Sequence, residues 1–124
     1  MTVATSDPRR GEIWLVDFDP SVGEEQRKAR PALVLNVEAV GKLQLRIVVP
    51  ITAWQDRYER TPWFTRLLPS ASTGLAKESG ADAFQVKSVS LERFGRRVGE
   101  VGADELEHVV AGVALCIGFA PLRN

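Results

Sequence analysis

The 124-residue chain has little of what disulfide-bonded, metal-binding or membrane-spanning proteins need. Its single cysteine, Cys116, excludes an internal disulfide, and with only one histidine, His108, a zinc site of Cys and His side chains is not expected. The longest run without a charged residue, 109–122, is too short to span a membrane, and the first ten residues lack the apolar stretch of a secretory signal. No phosphate-binding loop, dinucleotide fingerprint or nucleophile elbow is present. We therefore expect a cytoplasmic protein without a metal or cofactor.

The chain also lacks an excess of charge of either sign, because sixteen basic and sixteen acidic residues give a formal net charge of zero. That balance argues against a strongly basic nucleic-acid-binding surface. Twelve of the sixteen basic residues, however, are arginines, whose planar guanidinium groups bind phosphate through two parallel hydrogen bonds. Several are clustered, at 9–10, 27–30 and 93–97. The composition leaves open either a local basic groove or arginines spread over a solvated surface.

Apolar residues make up 44% of the chain and charged residues 26%, which are the usual proportions of a globular domain. We expect a flexible N-terminal segment, residues 1–9, and a single domain, residues 10–124. In that domain, short β-branched and aromatic runs are separated by turn signals. The predicted strands are 12–18, 31–36, 43–51, 63–68, 83–89 and 96–101.

The spacing of apolar residues changes near the end of the sequence. From Asp104 onward, apolar residues recur at helical spacing, acidic residues occupy the first turn and Gly118 is a stop signal. Residues 41–42 predict a turn between the second and third strands, and residues 53–62 predict a long loop. Five or six short strands followed by one amphipathic helix predict a mainly-β fold, a small barrel sealed by a C-terminal α-helix.

Five segments follow one another in a recognisable order: 10–20 (RGEIWLVDFDP), 23–26 (GEEQ), 30–35 (RPALVL), 49–52 (VPIT) and 85–89 (QVKSV). Each is weak alone, but the ordered set resembles the MazF/PemK family of toxin endoribonucleases from Arg10 to about Ile117. The resemblance implies an SH3-like small β-barrel (the MazF/CcdB/Kid-type plasmid-maintenance toxin fold) that forms a homodimer and cuts single-stranded RNA without a metal. It also implies a cognate antitoxin that blocks the RNA groove, which we expect to be acidic and partly disordered.

The resemblance assigns three catalytic residues. The family's catalytic arginine and threonine match Arg30 and Thr52, and its acidic residue before Gln26 is Glu25. A guanidinium stays protonated in proteins, so Arg30 can stabilise a charged phosphorane, although an ion pair with a neighbouring glutamate is an alternative. Glu25 is either the general base or a group that orients Arg30. The Thr52 hydroxyl can bond a phosphate oxygen, or belong to an ordinary strand residue.

Seven further residues are candidates for binding RNA. RNA-binding proteins splay bases apart and stack them on aromatic or arginine side chains. Trp54 and Tyr58 lie in the polar loop after Thr52 and can stack bases or cover the open end of the barrel. Charged residues before Arg30 can shape the groove or pair with one another, and two polar residues alternate near residue 86. The candidates are Gln26, Arg27, Lys28, Trp54, Arg57, Gln85 and Lys87.

The favoured hypothesis is a type II toxin–antitoxin toxin that inhibits growth as a sequence-selective endoribonuclease, an mRNA interferase. The ribose 2′-hydroxyl would attack the neighbouring phosphate and leave a 2′,3′-cyclic phosphate and a 5′-hydroxyl. A pair of histidines cannot move the protons, because only His108 is present. The alternative is a toxin of the same fold that binds a protein such as DNA gyrase without cutting RNA. A plain SH3-like interaction module is a weaker hypothesis, because the sequence shows no aromatic-lined peptide groove.

We expect a dimer interface on the helix or around Val48 and Val89.

Overall fold

A computed structural model describes residues 7–38 and 43–119 of the chain. Residues 1–6 of the predicted N-terminal segment, the predicted turn at 41–42 and residues 120–124 of the predicted domain lie outside the described residues. The described part contains seven strands and one α-helix. They are β1 (Glu12–Asp17), β2 (Ala29–Val34), β3 (Leu45–Ala53), β4 (Phe64–Leu67), β5 (Ser79–Asp82), β6 (Lys87–Ser90), β7 (Phe94–Glu100) and α1 (Ala103–Cys116).

The strands form one antiparallel sheet in the order β4-β5-β3-β2-β1-β7, and β6 pairs with β3 outside this path. Strand β3 is central because its first half pairs with β6, as in Leu45↔Ser90, and its second half with β5, as in Thr52↔Gly80. Strand β2 pairs with the other edge of β3. The end of β3 therefore lies between neighbouring strands, where a side chain such as that of Thr52 has a fixed position.

The helix closes one side of this sheet. It begins after Gly102, whose N–H donates to Glu105 Oε1 at 2.9 Å, and it is followed by Gly118, whose φ of 78° lies in the left-handed region that glycine tolerates. Val109 of α1 is fully buried in a cluster with residues of β1, β2, β3 and β4. Gly112 lies so close to the segment before β4 that a Cβ there would be 2.9 Å from the Trp63 carbonyl oxygen. The mainly-β fold with a C-terminal helix is confirmed.

The predicted strand at 83–89 is wrong in part. Strand β5 ends at Asp82, residues Ala83–Gln85 form a short 3-10 segment, and β6 begins only at Lys87. The cause is local, because the Asp82 side chain accepts a hydrogen bond from the Phe84 N–H and so competes with strand pairing. The predicted loop at 53–62 likewise contains a 3-10 segment, Asp56–Arg60.

The residues predicted around the dimer interface differ in exposure. Val48 and Val89 are themselves buried within one chain, so they cannot contact a second copy. Leu45 and Ile47 on β3 are 44% and 42% exposed, as is much of the helix end around Leu115. Exposed apolar surface is therefore present on both faces predicted for the dimer interface. It comes from Leu45, Ile47 and Leu115 and not from Val48 or Val89.

Within the described residues, no helix combines the length and the apolar character needed to cross a membrane.

The start of the domain is fixed by the carboxylate of Glu12. Its Oε1 accepts hydrogen bonds from the Arg9 N–H at 2.8 Å and from Trp14 Nε1 at 3.0 Å, and its Oε2 accepts one from Arg97 Nε at 3.1 Å. Burial alone would raise the pKa of Glu12, but the bonds from Trp14, Arg9 and Arg97 outweigh it, so the pKa is lowered. Glu12 thus joins the N-terminal segment, β1 and β7.

This lowered pKa makes the contribution of Glu12 to stability depend on pH. The contribution is complete above the ordinary pKa of 4.5 and is lost as the pH falls through the lower value of the folded state. We expect Glu12→Gln to reduce the free energy of unfolding by about 1–2 kcal/mol at neutral pH, and by less as the pH falls below 4.5. Urea unfolding at several pH values measures this, with Glu107→Gln on the exposed face of α1 as control. A penalty for Glu12→Gln that stayed constant down to strongly acidic pH would contradict it.

Candidate active site

A groove of about 680 Å³ lies at the end of β3. Its walls come from the loop between β1 and β2, the end of β3, the 3-10 segment that follows, and the connection from β5 to β6. The lining residues are Glu24, Glu25, Gln26, Thr52, Arg57, Tyr58, Trp63, Phe64, Asp82, Phe84, Gln85, Val86 and Lys87. Six of the ten residues singled out from the sequence are among them, although they lie far apart along the chain.

The side chain of Gln85 connects two walls of the groove by hydrogen bonds. Its Oε1 accepts a hydrogen bond from the Gln26 N–H at 2.5 Å, and its Nε2 donates to the Glu24 carbonyl at 3.2 Å. The same Nε2 donates to Asp82 Oδ2 at 3.4 Å. The side-chain amide of Gln85 is therefore engaged in fixing the loop between β1 and β2 against the β5–β6 connection, and it positions Gln26 at the edge of the groove.

Arg30 and Thr52 lie on the neighbouring strands β2 and β3. The β2–β3 pairs run from Val34↔Val48 to Ala32↔Pro50, two residues short of Arg30 and Thr52. Thr52 lines the groove, whereas Arg30 is half-buried, is not among the lining residues and donates from Nε to the Arg27 carbonyl at 3.3 Å. This bond leaves the two Nη groups as donors that face no recorded partner among the described residues.

Glu25 is exposed in the groove wall and is held by its own loop. Its Oε1 accepts a hydrogen bond from the Val22 N–H at 2.6 Å. Among the described residues no ion pair joins Arg30 to Glu24 or Glu25, so the predicted pairing that would hold Arg30 is not formed in this structure. Both roles predicted for Glu25, base and positioning group, require it to turn towards Arg30.

The cationic candidates divide into two groups. Arg57 and Lys87 line the groove and are exposed, and the Arg57 guanidinium lies 5.4 Å from the centre of the Tyr58 ring. Arg27 lies outside the groove and donates from Nη2 to the Gly23 carbonyl at 3.1 Å. Lys28 is also outside the lining, and its φ of 63° makes the turn that leads into β2. The structure thus places Arg57 and Lys87 in the groove lining, whereas Arg27 and Lys28 belong to the loop between β1 and β2 and do not line the groove.

Trp54 does not line the groove. Its ring packs edge-on against Tyr58 with centroids 5.6 Å apart and is covered by the Arg66 guanidinium at 4.9 Å. Its indole N–H is buried and has no hydrogen-bond partner among the described residues. Tyr58 does line the groove and stacks on Phe64 at 3.8 Å with an interplanar angle of 10°. The geometry of Trp54 matches the alternative interpretation, in which it covers the end of the barrel.

The lining residues that were not among the sequence-based candidates include Trp63, Asp82 and Phe84. The ring of Phe84 is 63% exposed, and it meets Trp63 at a centroid distance of 5.4 Å. Burial raises the pKa of Asp82, against the opposing hydrogen bonds from the Phe84 N–H and from the Gln85 and Trp63 side chains. A signal was available, because an aspartate that precedes two non-β-branched residues can cap a turn and end a strand.

The sheet, the closing helix and a groove lined by Thr52, by exposed cations and by aromatic rings define a class of protein: a small mainly-β protein with a polar, partly aromatic groove at the end of its central strand. Comparison with known proteins identifies the family. Residues 9–117 match the family model of the PemK-like, MazF-like toxins of type II toxin–antitoxin systems. The chain belongs to this family.

Individual relatives agree with this assignment. The chain is 38% identical over 104 residues to the endoribonuclease MazF9 of Mycobacterium tuberculosis, which covers 79% of this chain and 86% of the relative. It is similar to the crystal structure of MazF from Deinococcus radiodurans, with a TM-score of 0.76, 28% identity, and coverage of 90% and 97% of the two chains. It is also similar to a crystal structure of MazE–MazF from the same organism, with a TM-score of 0.69, 26% identity, and coverage of 91% and 98%.

Proposed function

We propose that this chain is the toxin of a type II toxin–antitoxin system and acts as a metal-independent, sequence-selective endoribonuclease on single-stranded RNA. The observation that carries the proposal is the groove of about 680 Å³ that Thr52, Glu25 and the exposed cations Arg57 and Lys87 line, with Arg30 on the strand next to that of Thr52. Support also comes from the family, since relatives such as MazF9 are named endoribonucleases.

The proposed reaction is an attack of the ribose 2′-hydroxyl on the neighbouring phosphate. The bond from O2′ to phosphorus forms, the bond from phosphorus to O5′ breaks, the 2′-hydroxyl loses its proton and the departing O5′ gains one. The products are a 2′,3′-cyclic phosphate and a 5′-hydroxyl. Because negative charge accumulates on the non-bridging oxygens of the phosphorane, donors fixed beside them lower the barrier most.

Each of the three catalytic residues has a place in this reaction. The Arg30 guanidinium donates through its Nη groups to the non-bridging oxygens, and the Thr52 hydroxyl donates to the same phosphate without adding charge. Glu25 lies within reach of the groove and, by turning away from the Val22 N–H, can accept the 2′-hydroxyl proton. The loop that carries Glu25 is held by Gln85 at Glu24 and Gln26, so this movement is confined to one side chain.

Flanking phosphates and bases occupy the remainder of the groove. Arg57 and Lys87 are exposed cations on its walls and bind phosphates on either side of the cut. Gln26 offers a side-chain amide at the groove edge. Arg27 and Lys28 contribute to the positive potential of the loop rather than to direct contacts, since neither lines the groove.

The same groove is where the partner antitoxin acts. A segment of acidic side chains can pair with Arg57 and Lys87 and cover the Arg30–Thr52 pair, which would stop RNA from entering. The similar MazE–MazF structure supports such a partner.

We also propose a cytoplasmic homodimer that buries the exposed apolar side chains near Leu45 or Leu115. Sedimentation of a monomer alone at micromolar concentration would contradict the dimer.

The test is incubation of the purified protein with a long RNA of defined sequence in the presence of EDTA, followed by mapping of the new 5′ ends. We expect discrete cuts whose 5′ ends accept phosphate from polynucleotide kinase without prior phosphatase treatment. Cuts that need added Mg²⁺, or 5′-phosphate ends, would contradict the proposed chemistry. Intact RNA together with capture of DNA gyrase would instead favour a protein-binding toxin of the same fold.

A further inference from the structure

We propose that Phe84, Trp63 and Asp82 form a nucleobase subsite in the groove, in which an unstacked base lies on Phe84 and donates its amino group to the Asp82 carboxylate. The inference rests on the proposed function, because it names the part of the RNA that this end of the groove reads. It predicts that an amino-bearing base is preferred at one position of the cut site and that uracil is disfavoured there.

The first line of evidence is the aromatic surface. The Phe84 ring is 63% exposed although it lines a groove, and its position follows from the 3-10 segment Ala83–Gln85. Trp63 meets it at 5.4 Å with the rings inclined by 51°. Exposed aromatic rings beside a polar cleft are the surfaces on which single-stranded nucleic acids stack their bases. The exposed Phe84 ring provides one flat face and the half-buried Trp63 ring, which is inclined to it, provides one wall, and this is the shape of a site for a single base.

The second line of evidence is that a backbone hydrogen bond and helix α1 hold the two aromatic residues in place. The Ala83 N–H donates to the Trp63 carbonyl at 3.4 Å, which joins the two segments that carry the rings. Helix α1 supports both, since Gly112 lies close to the Trp63 carbonyl and to the Ala83 side chain. A subsite built on backbone contacts and a helix is preorganised, so little ordering entropy is lost when a base binds.

The third line of evidence is the free acceptor capacity of Asp82. Its carboxylate receives donors from the Phe84 N–H at 3.1 Å, from Gln85 Nε2 at 3.4 Å and from the Trp63 side chain. A carboxylate has about four acceptor positions, so one remains. No ion pair neutralises Asp82 among the described residues. Because the group is also partly desolvated, one more donor stabilises it more than it would a solvated carboxylate.

The hydrogen-bonding groups of the bases determine which base the subsite prefers. Cytosine N4 and adenine N6 present amino groups, and guanine presents N1–H and N2 amino donors together, on edges that are free in single-stranded RNA. Uracil presents its N3–H between two carbonyl oxygens, which a carboxylate repels. An aspartate beside a stacked base therefore discriminates against uracil, while the stacking contribution of Phe84 is similar for every base.

The experiment measures binding and cutting separately. Binding of short A, C and U oligoribonucleotides is followed by fluorescence anisotropy, and cutting is measured on an RNA library randomised around the mapped site. We expect Phe84→Ala to weaken binding of all three oligomers about tenfold or more, and Phe84→Tyr to restore it. We expect Asp82→Asn to remove most of a roughly tenfold preference for A and C over U, because the amide keeps one acceptor for the Phe84 N–H but presents donors to the base.

The controls match each variant. Phe119→Ala removes a second ring that is also 63% exposed but lies beyond the helix, and Asp104→Asn removes a carboxylate on the first turn of α1; neither should change binding. Melting curves report whether Asp82→Asn retains the fold, and Phe84→Ala tests the subsite independently if it does not. Unchanged binding by Phe84→Ala together with an unchanged base preference in Asp82→Asn, with cutting intact, would overturn the subsite and leave the proposed function standing. A wild-type protein that binds A and C over U but does not cut would overturn the proposed function and leave the subsite standing; no binding at all would overturn both.

Discussion

Replacing Arg30 with alanine is expected to reduce the rate of RNA cutting by about a hundredfold to a thousandfold or more, with the fold intact. Arg30 lies on β2, next to the strand that carries Thr52, and among the described residues only its Nε donates to a protein partner, the Arg27 carbonyl. Its two Nη groups are left to donate to the phosphate. Losing them leaves the phosphorane without its cation, whereas the stability of the domain rests on the apolar residues that follow in β2.

The measurement is a single-turnover cleavage assay on the mapped RNA, with a melting curve for each variant. Arg96→Ala is the matched control, since Arg96 is an exposed arginine on β7 that does not line the groove, and it should cut at the wild-type rate. Arg30→Lys retains the charge but not the planar fork, and we expect a rate between those of wild type and Arg30→Ala. A folded Arg30→Ala protein that cuts as fast as Arg96→Ala would remove Arg30 from the catalytic site.

Most of the strands and the helix were predictable from the sequence because their signals are local, but β5 (Ser79–Asp82) was not predicted. Alternation and β-branched runs place β1, β2, β3 and β7 within a few residues of the structure, and the helical spacing after Asp104 places α1. The break between β5 and β6 was not predictable in the same way. It depends on the Asp82 side chain capturing the Phe84 N–H, a contact that outweighs the strand propensity of the segment.

The site was predictable only where a motif carried it. Arg30, Thr52 and Glu25 were assigned by resemblance, and the pairing of β2 with β3 places the two strands that carry Arg30 and Thr52 side by side. Asp82 and Phe84 were missed because their positions depend on the 3-10 segment Ala83–Gln85, where the sequence predicted a strand. Trp54 was selected by its position in the polar loop after Thr52, and its packing against Tyr58 and Arg66 could not be read from that position.

A large effect on stability is expected at Gly99, near the end of β7. The turn at residues 70–74 lies directly on this strand, and the Glu100 N–H donates to the Ser72 carbonyl at 2.9 Å. A Cβ at Gly99 would lie 2.2 Å from the Thr73 carbonyl oxygen and 2.4 Å from that of Ser72. Both obstacles are backbone atoms, so no side-chain rotation relieves the overlap, and either the turn or the β1–β7 pairing at Ile13 has to move.

We therefore expect Gly99→Ala to reduce the free energy of unfolding by about 3 kcal/mol or more, since a methyl group forced into a packed backbone contact costs more than ordinary overpacking. Gly95→Ala, on the same strand, is the matched control. Its Cβ would lie 3.6 Å from the nearest Leu15 atoms, an ordinary contact, and its effect should be within about 0.5 kcal/mol of zero. Urea unfolding of the two variants beside wild type measures the difference. Equal midpoints for Gly99→Ala and Gly95→Ala would mean that the turn yields to β7 at little cost, and that the close approach is a consequence of the fold rather than a requirement for it.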